Sequence, residues 1–228
     1  MTAQTMKANE HIFKAKDPVS ALTHFLGFIF AIIGLALLLI RGASYGNERL
    51  TLISYAVFMI SMVLLYGASA SYHSFNSTEK INRILKKIDH MSIFVLIAGT
   101  YTPVCLTCLK DSVGKTLLIC IWGIALAGMI IKFCWIYCPK WFSSVIYCLM
   151  GWAVLSVFPV LLRSIPAGAF ALLLTGGIFY TVGAVIYALK PHIFHNRYFG
   201  NHELFHCFVL AGSLCHFLMV YNYLTLIG

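Results

Sequence analysis

The chain has 228 residues, of which 61% are hydrophobic and 10% charged, with a formal net charge of +9. A soluble domain is about half apolar and a quarter charged, so these values exclude one and indicate an integral membrane protein. The basic excess does not indicate nucleic acid, because the lysines and arginines lie at the ends of apolar segments rather than in one patch.

A spanning helix needs about 20 apolar residues, and seven such segments nearly exhaust the length. The expected fold is therefore an all-α integral membrane bundle of seven transmembrane helices. Residues 1–18 read as a short polar N-terminal segment with Lys7, Lys14 and Lys16, lacking the apolar stretch of a cleavable leader. Residues 19–228 read as the membrane domain. The first span is expected at about Val19–Ile40, ended by Arg41-Gly42, the second at Leu50–Tyr72 and the third at Met91–Leu109. The fourth runs over Thr116–Tyr137, the fifth over Ser143–Leu162, the sixth over Gly168–Leu189 and the seventh from about Glu203 to Ile227. Pro18, Pro139, Pro166 and Pro191 fall at segment borders, where a helix tolerates proline, whereas Pro103 and Pro159 fall inside segments and are expected to kink them.

Eleven of the sixteen Lys and Arg residues fall on the side of the N-terminus when the spans are counted off alternately. By the positive-inside rule the N-terminus is cytoplasmic and the C-terminus outside. The eight cysteines are scattered through apolar segments. Cys105-x-x-Cys108 and Cys134-x3-Cys138 read as small packing residues rather than as a zinc or redox motif.

The polar residues within the spans converge on one face. His202 and His206 are four apart at the start of the seventh span, so they stand one turn apart on one helix face at metal-ligand spacing. His73 closes the second span and Asp89 opens the third, both on the cytoplasmic side. Three imidazoles and a carboxylate at one depth suit a zinc ion with a fourth position open to water, the arrangement of catalytic rather than structural sites. Asp89 then holds or deprotonates the water, and Ser69, one turn before His73, donates a hydrogen bond to an oxyanion or to the water. Iron, cobalt and nickel accept similar ligands. His24 lies about one turn inside the first span, as a supporting residue or in a helix-packing hydrogen bond. His216 shares the face of His202 but lies about 15 Å beyond His206 along the helix, too far for the same ion. His90, His192 and His195 are expected at the aqueous border. His202-Glu203-Leu204-Phe205-His206 also reads HExxH, in which Glu203 would be the general base of a metalloprotease; no second protease feature accompanies it.

Four ordered stretches, SALTHFLG, SASYH, IDHMSIFVLIAGTYTP and HELFHCFVLAGSLCHF, closely resemble the bacterial hemolysin III family. That family is related to the adiponectin and progestin receptors (the PAQR family) and, more distantly, to the alkaline ceramidases. The resemblance spans Asp17 to about Tyr221 and implies a seven-helix bundle in the cell membrane with a zinc ion near its cytoplasmic side. By motif position the zinc histidines fall on His73, His202 and His206. The aspartate that reaches zinc through water falls on Asp89, and the motif serine on Ser69. At Glu203 the receptor relatives can carry a non-acidic residue, which weakens the protease reading. The chain lacks the long N-terminal domain of the animal receptors, so hormone binding does not carry over.

The function expected from residues and resemblance together is zinc-dependent hydrolysis of an amide or acyl lipid, such as a long-chain acyl or ceramide-like compound entering from the membrane. Two other classes are a non-enzymatic sensor or regulator with a structural zinc, and a cytolysin, as the family name suggests.

Overall fold

The computed structural model describes residues 15–109, 111–191 and 199–228. Eight α-helices carry these residues: α1 (Pro18–Ser44), α2 (Arg49–Ser74), α3 (Glu79–Pro103), α4 (Ser112–Cys134), α5 (Lys140–Trp152), α6 (Phe158–Ser164), α7 (Ala167–Leu189) and α8 (Asn201–Asn222). With α5 and α6 joined as one, and α3 and α8 each extended by a short turn, they make seven segments long and apolar enough to cross a membrane. The expected seven-helix architecture is therefore the observed one, in a multi-pass membrane protein.

Burial follows the logic of a protein solvated by lipid. Large aliphatic side chains such as Ile119 (73% exposed) and Leu189 (74%) cover the outside. Hydroxyl residues instead line the interior, where a lone polar group in hydrocarbon would be costly. They satisfy themselves locally: Ser61 donates to the Phe58 carbonyl (2.6 Å) and Thr102 to that of Ala98 (3.0 Å). Glycines let helices close on bulky partners at two points. A Cβ on Gly128 of α4 would strike the Phe94 ring of α3, and one on Gly176 of α7 would strike the ring of His216.

The helix limits depart from the hydropathy pattern in three instructive places. Helix α3 starts at Glu79, about three turns before the expected Met91. The Thr78 hydroxyl caps it by accepting from the Ile81 amide (3.4 Å), and Glu79 pairs with Arg83 one turn on (2.8 Å). Charge ends a hydropathy window but not a helix, so Asp89 lies mid-helix rather than opening the span. Helix α4 conversely stops at Cys134, short of Tyr137. Helix α8 starts at Asn201, placing His202 inside its first turn.

The fifth span is broken rather than merely kinked. A 3-10 turn over Ala153–Val157 separates α5 from α6. Pro159 sits at the start of α6, where proline is tolerated, so it does not by itself explain the break. The wedge is Tyr101 of α3. Its hydroxyl accepts from the Val154 amide (2.9 Å) and donates to the carbonyls of Met150 (2.8 Å) and Gly151 (2.7 Å). A side chain thus replaces the helical bond between Met150 and Val154. Pro103, two residues on, is followed by a wide π-helical turn over Val104–Cys108.

Candidate metal centre

Three separate helix ends meet at one end of the bundle. His73 lies in the last turn of α2, His202 and His206 in the first two turns of α8, and Asp17 immediately before α1. One ring nitrogen from each of His73, His202 and His206 lies within 4.8 Å of the other two. The Nε2 atoms of His73 and His202 are 3.2 Å apart. Two nitrogens each about 2.05 Å from a tetrahedral zinc stand about 3.3 Å from one another, so this pair is already at ligand spacing. His73 and His206 are buried and His202 half-buried.

Asp17, a residue of the polar N-terminal segment, fixes the orientation of the first ring. Its carboxylate accepts from His73 Nδ1 (2.8 Å), and its backbone amide donates to the His73 carbonyl (2.9 Å). With the Nδ1 proton committed to Asp17, the lone pair of His73 Nε2 faces the other two rings. A carboxylate behind a ligating histidine is the usual supporting arrangement at metal sites. An aspartate directly before a helix-starting proline is a readable capping signal. Yet Asp17 makes no side-chain cap bond to α1, because its carboxylate is used on α2 instead.

The remaining candidates separate clearly. Asp89 and Ser69 are buried and line the same cavity. Asp89 is not in the three-histidine group. His24 makes no hydrogen bond through either ring nitrogen, so the helix-packing hydrogen bond is not what holds it. Its ring stacks on that of His206, with centroids 3.6 Å apart and planes 10° from parallel. His216 stands apart from the group. Its Nε2 donates to the Leu173 carbonyl (3.2 Å), with the ring in the notch that Gly176 leaves open. His90, expected at the aqueous border, is half-buried and lines the cavity. His192 and His195 lie outside the described residues.

Glu203 does not have the freedom a general base needs. It accepts from the Ser20 hydroxyl (2.8 Å) and from the Gly200 amide (2.9 Å), tying α1 to the start of α8. The HExxH spacing here reflects two inward histidines and a helix cap.

These groups open on a cavity of about 710 Å³, walled largely by apolar and aromatic side chains of α2, α3, α5, α7 and α8. That volume lies within the range of small-molecule sites.

The profile of the haemolysin-III related family matches residues 13–217. The chain belongs to this family. It is 38% identical over 213 residues to the hemolysin-3 homolog of Bacillus subtilis (strain 168), covering 93% of this chain and 96% of that one. It is 35% identical over 211 residues to hemolysin-3 of Bacillus cereus, covering 92% and 93%. As a haemolysin-III relative the protein carries its histidine group where four polar motifs of the sequence converge, and Asp17 falls inside the matched region.

Proposed function

We propose that this protein is a zinc-dependent hydrolase of the cell membrane that cleaves an amide or acyl bond in a long-chain, ceramide-like lipid. The observation that carries the reading is three imidazole side chains converging on the wall of a largely apolar cavity that also carries a carboxylate and a hydroxyl. The donor set fits the metal: three ring nitrogens, one already oriented by a carboxylate, leave a fourth tetrahedral position open. His73, His202 and His206 would hold the ion. Zinc bound there supplies Lewis acidity toward a carbonyl and lowers the pKa of water toward neutrality.

The chain's own groups do the rest. Asp89 accepts a proton at its carboxylate and returns it to the leaving amine or alcohol. Ser69, on the same cavity wall, offers its one hydroxyl donor to developing negative charge. Asp17 holds the His73 ring in one tautomer, and His24 limits rotation of His206 by stacking on it. The apolar walls accept the acyl chain, each buried methylene contributing about 0.8 kcal/mol. On the positive-inside reading, the histidine end of the bundle faces the cytoplasm.

The test is metal analysis of protein purified without added metal, with His206→Ala as control, followed by turnover of N-acyl and O-acyl lipids. Stoichiometric zinc with turnover that Asp89→Asn abolishes supports the proposal. Stoichiometric zinc, no turnover on any acyl lipid and a silent Asp89→Asn would sink it. That outcome favours the sensor reading, in which zinc clamps α2 to α8 at the junction that Asp17 ties to α1.

A further inference from the structure

The cavity carries a second feature that hydrolysis does not require. Four lysines line it: Lys16, Lys86, Lys132 and Lys140. None makes an ion pair among the described residues, where the two ion pairs are His73–Asp17 and Arg83–Glu79. Two of the carboxylates on the same walls make their hydrogen bonds elsewhere, Asp17 with His73 and Glu203 with Ser20 and Gly200. Three of the lysines rest on aromatic faces, Lys16 over Tyr72 (3.7 Å), Lys86 over Tyr137 (4.7 Å) and Lys140 over Tyr187 (4.3 Å).

Lys132 is the unusual one. It is 3% exposed, so it is not a border residue reaching water. Its ammonium donates to Ser143 Oγ (2.5 Å) and Cys138 Sγ (3.1 Å). An ammonium has three N–H donors, so two are used within the protein and one remains. A buried charge is ordinarily paired, and an ionisable residue inside a membrane protein marks a ligand or ion pathway by default. The positive-inside rule accounts for lysines at the aqueous border, such as Lys80 and Lys87, but not for one folded inward against the cavity wall.

We infer that Lys132, with Lys16, Lys86 and Lys140 on the walls of the same cavity, forms a head-group site for a lipid phosphate monoester. The lining of the cavity calls for an amphiphile, because its wall is apolar for the most part and carries four lysines. Four lysines against the three carboxylates Asp17, Asp89 and Glu203 leave the wall net positive, and Lys132 keeps an N–H donor to spare. A phosphate monoester offers three acceptor oxygens and can meet more than one ammonium at once, whereas a carboxylate offers two. The inference rests on the lysines and the cavity and does not require that the histidine group be catalytic.

The test is equilibrium binding of radiolabelled hexadecyl phosphate to the metal-loaded full-length protein in neutral detergent, against palmitate and hexadecanol of equal chain length. The expected result is that hexadecyl phosphate binds at least about tenfold more tightly than hexadecanol, as a charge-assisted hydrogen bond requires, and more tightly than palmitate. Lys132→Met should lose that preference while hexadecanol binding and zinc content stay unchanged, and Lys132→Arg should keep most of it. Equal binding of the three probes, or a preference intact in Lys132→Met, overturns the inference. Palmitate binding as tightly as hexadecyl phosphate overturns the phosphate assignment. Should Lys132→Met fail to fold, the selectivity of the unaltered protein and its loss in Lys86→Gln/Lys140→Gln decide the matter. Because binding rather than turnover is read, an inactive Asp89→Asn leaves this inference standing, and a failed phosphate preference leaves the hydrolase proposal standing.

Discussion

Replacing Asp17 by alanine should weaken the metal site without touching any of its ligands. The carboxylate makes one charge-assisted hydrogen bond, at 2.8 Å, to Nδ1 of His73. Loss of such a supporting carboxylate lowers metal affinity by about 10- to 100-fold, equivalent to about 1.4–2.7 kcal/mol. The Asp17 side chain is 40% exposed, and solvent screening of exposed charge places the effect near tenfold. Asp17→Asn keeps an acceptor of the same size and should lose less than Asp17→Ala. The backbone bond from the Asp17 amide to the His73 carbonyl (2.9 Å) survives both changes, so α1 stays anchored and the metal-free proteins should melt together. The assay is zinc competition against a graded series of chelators, with melting temperatures measured with and without metal. An Asp17→Ala protein with an unchanged chelator midpoint would refute the reasoning, since His73 would then need no external restraint. Equal destabilisation with and without metal would show Asp17 to be a helix anchor alone.

Three further changes probe other parts of the arrangement. Glu203→Gln should retain full zinc content and any lipid turnover, because Glu203 bonds Ser20 and Gly200 rather than a substrate; loss of turnover with zinc retained would revive the protease-type base. Tyr101→Phe removes the hydroxyl partner of the Val154 amide and of the Gly151 carbonyl, while the Met150 carbonyl keeps the Ala153 amide. It should destabilise by about 1–3 kcal/mol, more than the roughly 0.6 kcal/mol of an average interhelical hydrogen bond in a membrane, and a melting curve in detergent matching the parent would contradict this. His24→Phe preserves an aromatic ring against His206 and should keep metal content, whereas His24→Ala should weaken retention of zinc under chelator challenge. Equal retention by the two variants would show that stacking contributes nothing.

The histidine group was legible because membrane segments make imidazole conspicuous. Three rings in apolar runs, two of them four apart, need only one assumption about topology to meet. Asp17 was not legible on those terms. It sits in a polar stretch, where a carboxylate attracts no notice, and its partner lies 56 residues away. The dipeptide Asp17-Pro18 announces a helix start, but nothing local reveals that the side chain leaves its own helix for the end of α2. His24 was visible as an oddity whose role stayed open, because stacking on His206 depends on how α1 and α8 cross.

Lys132 shows the same limit in sharper form. Hydropathy and the positive-inside rule both read it as a border residue, one of several cations at the end of a span. The helix stops at Cys134 instead of continuing to Tyr137, and the connection that follows brings Cys138 and Ser143 back onto the Lys132 ammonium. A change of less than one turn in a helix end therefore converts a topological charge into a buried one. Mean polarity along a segment reports where the membrane border lies but not which side chain the next loop covers. In membrane proteins of this kind, cations counted toward orientation are thus the residues whose burial most merits checking, since an inward-folded one is withdrawn from the aqueous border and calls for an anion.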